Sequence, residues 1–222
     1  LPPPPHGSPI AHPCHPFPPL PIQRMPSIPA PYTTSTTGWP RACKPTVCVR
    51  GMHQVMTRPG VRFAGHLAGG THHAFADRGE GFCVFNDIAV AARVILRERA
   101  EEVQRILIVD LDVHQGNGSA AIFEHDPRVF TFSMHCAGNY FSKKETSDLD
   151  VEVAAGAGDD DYLEVLADQL EACFVTHRPQ LTFLQAGVDP HEKDALGKLR
   201  LTHAGLRTRN RLACQAALRH GS

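Results

Sequence analysis

The 222-residue chain has no apolar run near the roughly 20 residues that a membrane-spanning helix requires, so no segment reads as a transmembrane span. It also has no surplus of one charge. Lys and Arg number 22 against 23 Asp and Glu, a net charge of −1, which offers no footing for nucleic acid or an anionic membrane as a partner. No initial Met is present, and no charged leader precedes an apolar stretch, so no secretory signal is read and an incomplete start is expected. The seven cysteines (14, 43, 48, 83, 136, 173, 214) are odd in number and scattered, unlike a disulfide framework. They predict reduced thiols in an intracellular setting, nucleus or cytoplasm, with an organelle left open. Cys43 and Cys48 have no second pair at zinc-finger spacing and make poor metal ligands.

Proline almost disappears after residue 60, since sixteen of the nineteen fall within residues 1–60. The stretch from Leu1 to Pro40 cannot sustain a helix or a central strand, because each proline removes a donor and fixes φ. Residues 1–60 are therefore expected to be a Pro-rich, low-complexity, disordered segment. It reads as a tether in preference to a ligand for aromatic-lined grooves. Of the fourteen histidines, His6, His12 and His15 lie in this head and carry no expected function.

From Val61 onward the texture is that of a folded α/β domain, 61–222. Residues 85–104 place apolar side chains at 88, 91, 92, 95 and 96, as an amphipathic helix does. "RILIVDLD" (105–112) is a continuous aliphatic run, like a strand covered on both faces. "RVFTFSMH" (128–135) and "PQLTFLQAGVD" (179–189) are further strand candidates. Residues 159–177 open with three acids suited to a helix N-terminus. Strands alternating with helices predict a mostly parallel sheet, whose ligands gather beyond the carboxyl ends of its strands. Asp110, Asp112 and His114 stand at one such end, and Asp189 just past another.

Charge at the mouth of a core is unfavourable unless something compensates it. Asp112 and His114, two apart in an extended segment, point the same way and can reach one ion, and Asp189 can complete the set. Two carboxylates and a neutral imidazole would balance a divalent charge, and the bound water would be acidified towards a pKa of about 7. Asp110, at a strand end, can turn to accept a proton from a histidine. The donors at hand are His72 and His73, which follow a Gly-Gly turn and suit acid and base work near neutral pH. Asp110 and Asn117 are the candidates to hold their tautomers. Taken singly, each piece has a plainer explanation: a solvated Asp-x-Asp loop, a surface His pair, or a turn shaped by Asp189 and Pro190. The glycine-rich stretch lacks the Lys-Ser/Thr of a phosphate-binding loop. Together in one short domain they point to a metal-dependent hydrolase.

"AGGTHHAFADRGEGFCVFNDIAVAA" (68–92), "IVDLDVHQGNG" (108–118) and "QAGVDP" (185–190), in this order, closely resemble the zinc-dependent histone deacetylase family. "HQGNG" and residues 144–166 are most similar to its class IV and related bacterial and plant branch. The resemblance spans about 61–222 and implies a three-layer arginase/deacetylase-like α/β fold, with hydrolysis of an N-acyl-lysine or similar acyl amide. Carried over residue by residue, it implies Asp112, His114 and Asp189 as ligands of Zn2+ or Fe2+. His72 and His73 match the catalytic pair, with His73 the general base, Asp110 behind the first ring, and Asn117 where many members have Asp. Gly81 and Phe82 match the channel that receives acyl-lysine, with Tyr140 or Phe141 as the facing wall. Asp110 and Ser133 match a structural site for K+ or Na+. The substrate can be a histone, another protein or a small amide such as an acylpolyamine.

Two features of the family pattern are unmatched. The oxyanion-stabilising tyrosine in a downstream Gly-rich motif has no counterpart, since Tyr32, Tyr140 and Tyr162 all lie in other contexts. The N-terminal strand and channel rim have none in the Pro-rich head. The expectation is a domain truncated at both ends, with activity impaired because a lost transition-state donor lowers rate by about 10²–10³. The alternative is a non-catalytic, deacetylase-like fragment that binds a metal or a partner. An arginase-like two-metal centre ranks last, because a second ion would prefer Asp at 117.

Overall fold

In strand β1, Ile106–Asp110, every residue is buried, and successive side chains serve two different cores. This computed structural model describes residues 44–67, 70–140 and 142–222. Their order is α1 (Lys44–Thr57), α2 (Asp87–Glu98), β1, α3 (Asn117–Phe123), β2 (Val129–Cys136), β3 (Leu149–Val153), α4 (Asp159–His177), β4 (Leu181–Gln185) and α5 (His203–His220). The four strands run in the order β3-β2-β1-β4, and each pairing is parallel. Leu107 and Val109 face α4 and α5, packing with Tyr162, Leu166, Leu170 and Ala213. Ile106 and Ile108 face the opposite side, with Met52 of α1, Ile88 and Ile95 of α2, and Phe123 of α3. The result is a three-layer α/β sandwich about an open parallel sheet, the expected fold class.

The helix expected over 85–104 is α2, and it closes at Glu98 because Arg99 leaves helical geometry. Its start is fixed by Asn86, whose side-chain oxygen accepts from the Ala89 N–H at 2.9 Å. Strand 179–189 shortens to Leu181–Gln185, leaving Asp189 in the loop that follows. One expectation needs correction: residues 44–57, placed within the disordered Pro-rich segment 1–60, are helical. Pro45 falls in the first turn of α1, where a missing N–H removes no intrahelical bond, and Pro59 lies past its end. α1 also has a partner, since Met52 is buried against α2. The polyproline-like stretch 1–40 lies outside the described residues, as does Cys43. Cys48, Cys136, Cys173 and Cys214 are free thiols. No helix among the described residues is long and apolar enough to cross a membrane.

Candidate metal centre and histidine pair

The carboxyl end of β1 is where the chain stops pairing regularly and begins to present polar groups. Asp110 is the last residue of the strand, level with Ser133 on β2 and Gln185 on β4. Its Oδ1 accepts the Asp112 N–H at 3.1 Å, and Asp112 Oδ1 accepts the His114 N–H at 3.0 Å, so each acid shapes the next turn of backbone. Asp189 reaches across from the loop after β4, its Oδ1 accepting the Val113 N–H at 3.0 Å. These bonds leave three donor atoms converging. His114 Nδ1 lies 3.1 Å from Asp112 Oδ1 and 3.1 Å from Asp189 Oδ2, and the ligand atoms of the three residues fall within 4.8 Å of one another. Tetrahedral ligands about 2.0–2.1 Å from a zinc ion are themselves roughly 3.3 Å apart. The donor set fits a divalent cation in both spacing and charge.

The histidine turn is fastened to the same platform. Thr71 donates its hydroxyl to Asp87 Oδ1 at 2.7 Å, tying the start of the turn to the first residue of α2. The Asn86 amide donates to Ala74 O at 3.3 Å and to Ser119 Oγ at 3.0 Å, while the Ser119 N–H donates to His72 O at 3.1 Å. His72 and His73 are thereby held between α2 and α3, both buried, with ring centroids 4.0 Å apart.

Each ring has its own partner. His72 Nδ1 lies 2.6 Å from Asp110 Oδ2, and its Nε2 is 3.8 Å from Asp112 Oδ1. Burial opposes protonation of this ring, but the charges of Asp110 and Asp112 overcome it and push the pKa up to about 9. His73 Nδ1 lies 2.8 Å from Asn117 Oδ1. Burial, reinforced by the neighbouring His72, pushes His73 down to about 4, and the neutral amide cannot offset it. His114 is also opposed by burial, yet its bonds to Asp112 and Asp189 raise it to about 9. Burial alone would raise Asp112, but the charge of His72 and the bonds to His114 keep it below the usual carboxylate range.

Gly81 and Phe82 both have positive φ, +53° and +64°. A Cβ on Gly81 would stand 2.4 Å from the His73 ring, so glycine is what lets this loop lie against the imidazole. Phe82, 90% exposed, projects beside it as an unburied aromatic wall. A Cβ on Gly116 would be 2.2 Å from Asp110 Oδ2, which explains the first glycine of "HQGNG". Tyr140 stacks on His73 with centroids 4.5 Å apart, nearer the rings than a distant wall would be. Phe141 lies outside the described residues. Ser133 is buried with its Oγ 3.1 Å from His135 Nδ1, beside Asp110 in the ladder. Tyr162, by contrast, is wholly buried in the α4 core.

Sequence reasoning passed over Glu80. Its Oε1 accepts from Asn117 Nδ2 at 2.8 Å and from the Tyr140 hydroxyl at 3.0 Å. Nothing in "DRGEGF" separates this acid from an ordinary loop charge, because its partners lie 37 and 60 residues away. Arg209 was also missed. It is a fully buried cation on α5 whose Nη1 donates to Leu111 O at 2.8 Å, directly between the two strand-end acids.

A parallel α/β sheet whose strand ends gather two carboxylates and an imidazole, with paired imidazoles alongside, defines an arginase/deacetylase-like protein with a candidate metal centre. The profile of the histone deacetylase domain matches residues 33–222, and the chain belongs to that family. An uncharacterized protein of Picosynechococcus sp. is 53% identical over 156 residues, 70% of this chain and 51% of that protein. Histone deacetylase 2 of Arabidopsis thaliana is 36% identical over 149 residues, 65% of this chain and 38% of that protein. The acetoin utilization protein AcuC of Staphylococcus aureus is 34% identical over 149 residues, 62% of this chain and 38% of that one. The chain thus spans about half the length, or less, of the relatives it matches. A crystal structure of an HDAC homologue from Aquifex aeolicus shares the fold, with a TM-score of 0.69 at 24% identity over 82% of this chain and 50% of that chain. An HDAC homologue complexed with SAHA gives 0.68 over the same shares.

Proposed function

We propose that this chain carries the metal-dependent amidohydrolase centre of a deacetylase acting on an N-acyl-lysine or a similar acyl amide. The observation that carries the reading is the convergence of Asp112, His114 and Asp189, drawn from two distant segments, beside the His72–His73 pair. Asp112, His114 and Asp189 would hold Zn2+ or Fe2+, which when bound supplies a Lewis acid towards water and the acyl carbonyl. His73, neutral at pH 7, takes a proton from the attacking water and returns it to the leaving amine. His72, kept cationic by Asp110, assists as a charged hydrogen-bond donor from Nε2. Gly81, Phe82 and Tyr140 line the approach, an apolar surround that favours an uncharged acylated lysine over a free ammonium. Asp110 and Ser133 would contribute to a K+ or Na+ site beneath the metal.

A non-catalytic role in metal or partner binding is the second reading. It draws on the two described tyrosines, since the Tyr140 hydroxyl is bonded to Glu80 and Tyr162 is buried, so neither offers a phenol aimed at an acyl oxygen. Metal content and turnover of an acetyl-lysine peptide, compared between this chain and one continued at both ends, test both readings. Stoichiometric metal with turnover in the longer chain supports the deacetylase. Metal without turnover in either supports the binding role, and no metal in either overturns the centre itself.

A further inference from the structure

We propose that Glu80 is a positioning residue that fixes the orientation of the Asn117 amide and, through it, which nitrogen of His73 carries the proton. The inference rests on the reading of His73 as the proton acceptor.

An asparagine behind a histidine is ambiguous in a way that an aspartate is not. Its two ends are nearly the same shape, yet one accepts and the other donates. If the NH2 faced His73, the ring would have to accept at Nδ1 and carry its proton on Nε2. If the carbonyl faces it, the proton sits on Nδ1 and Nε2 keeps its lone pair. Glu80 decides between these. An ionised carboxylate only accepts, so the end of Asn117 lying 2.8 Å from Glu80 Oε1 is the NH2. Asn117 is fully buried, so its NH2 depends on partners supplied by the protein. The carbonyl end then lies 2.8 Å from His73 Nδ1 and requires an N–H there.

Glu80 is equipped to stay charged and in place. The Tyr140 hydroxyl donates to the same Oε1 at 3.0 Å, and the Arg78 Nε stands 3.9 Å from Oε2. Burial alone would raise its pKa, but bonds from Asn117, Tyr140 and Ser142 hold it below the ordinary value for a glutamate. Tyr140 also stacks on the His73 ring, so one acid controls both the face and the edge of the imidazole. Because the amide between them is neutral, Glu80 directs the proton without making His73 strongly basic.

The test uses the 222-residue chain labelled with 15N at histidine, reading ring-nitrogen shifts and couplings by NMR at pH 7. The wild type is expected to show His73 with its proton on Nδ1. Glu80→Gln, nearly isosteric but able to donate or accept, is expected to populate both tautomers of His73 while leaving the His72 signature unchanged. Asn117→Asp added to Glu80→Gln is expected to restore the Nδ1–H form, because a carboxylate needs no anchor to accept. In an active form of the protein, Glu80→Gln should lower kcat at least tenfold with little change in KM, and the double variant should recover most of it. A wild-type His73 protonated at Nε2 overturns the proposal without any variant. A Glu80→Gln protein that is folded and keeps the Nδ1–H form alone overturns it too. If the tautomers respond as expected while neither this chain nor a longer one turns over substrate, the positioning role stands and the deacetylase reading fails.

Discussion

The two imidazoles of the histidine turn are adjacent in sequence and 4.0 Å apart, yet they occupy opposite chemical settings. On the His72 side the partner is a buried carboxylate, and the ring is driven to about 9. On the His73 side the partner is an amide, and the ring falls to about 4. Burial penalises the charged form in each, but Asp110 and Asp112 set negative charge beside His72, whereas His73 faces a neutral amide and the positive charge of His72. One neighbour is poised to stay charged and the other to stay neutral, a division of labour set by Asp110 against Asn117.

The widest break in this comparison removes what the two sides share. Asp189→Ala leaves only two of the three converging donors, and metal affinity, measured by competition with a chromophoric chelator, should fall by more than the roughly 10–100-fold typical of outer-shell substitutions. An unchanged affinity would mean that the triad does not act as one site.

The next prediction sets the two sides against each other in chelator-stripped protein. His72 has its folded pKa raised from 6.5 to about 9, so its stabilising contribution is complete below pH 6.5 and lost as pH rises through 9. His114, raised to about 9, adds to that alkaline loss. His73 has its folded pKa lowered from 6.5 to about 4, so its contribution is complete above pH 6.5 and lost as pH falls towards 4. Stability from urea unfolding should therefore peak near pH 6.5 and decline on both flanks, by about 1.4 kcal/mol per pH unit for each proton involved. A flat profile from pH 5 to 8.5 would contradict the opposed shifts.

The finest adjustment makes the second side imitate the first. Asn117→Asp should raise His73 and move the acidic limb of the pH–rate profile of an active form upward by roughly one unit. It also sets a second carboxylate against Glu80, so one of the two acids should take up a proton more readily. An unmoved limb would show that the partner atom does not govern this ring.

Much of this arrangement is legible in the sequence itself. The run 105–112 reads as a doubly covered strand, and its aliphatic residues from Ile106 to Leu111 do serve two cores. The faces of α2 and α4 follow the 3.6-residue period, and Asp112, His114 and Asp189 were brought to one point by strand-end logic alone. What escaped notice shares a physical cause. β3 is an edge strand of half-exposed, alternating acids and aliphatics with no continuous apolar run. α5 buries small residues, Gly205, Ala213, Ala216 and Ala217, together with Arg209, so its inner face carries little hydrophobic signal. α1 was concealed by a compositional boundary set at residue 60 when its prolines stand only at the helix ends. Glu80 was invisible because its meaning arises from through-space partners.

The Asn86 amide caps α2 with its oxygen and clasps the Ala74 carbonyl and the Ser119 hydroxyl with its nitrogen. The histidine turn is therefore fastened to the helix, and any sliding or tilting of α2 along the sheet would carry the two imidazoles with it. The spacing between the His72–His73 pair and the Asp112, His114 and Asp189 triad is then set in part by how the outer helical layer, α2 with Met52 of α1 buried against it, sits on the sheet.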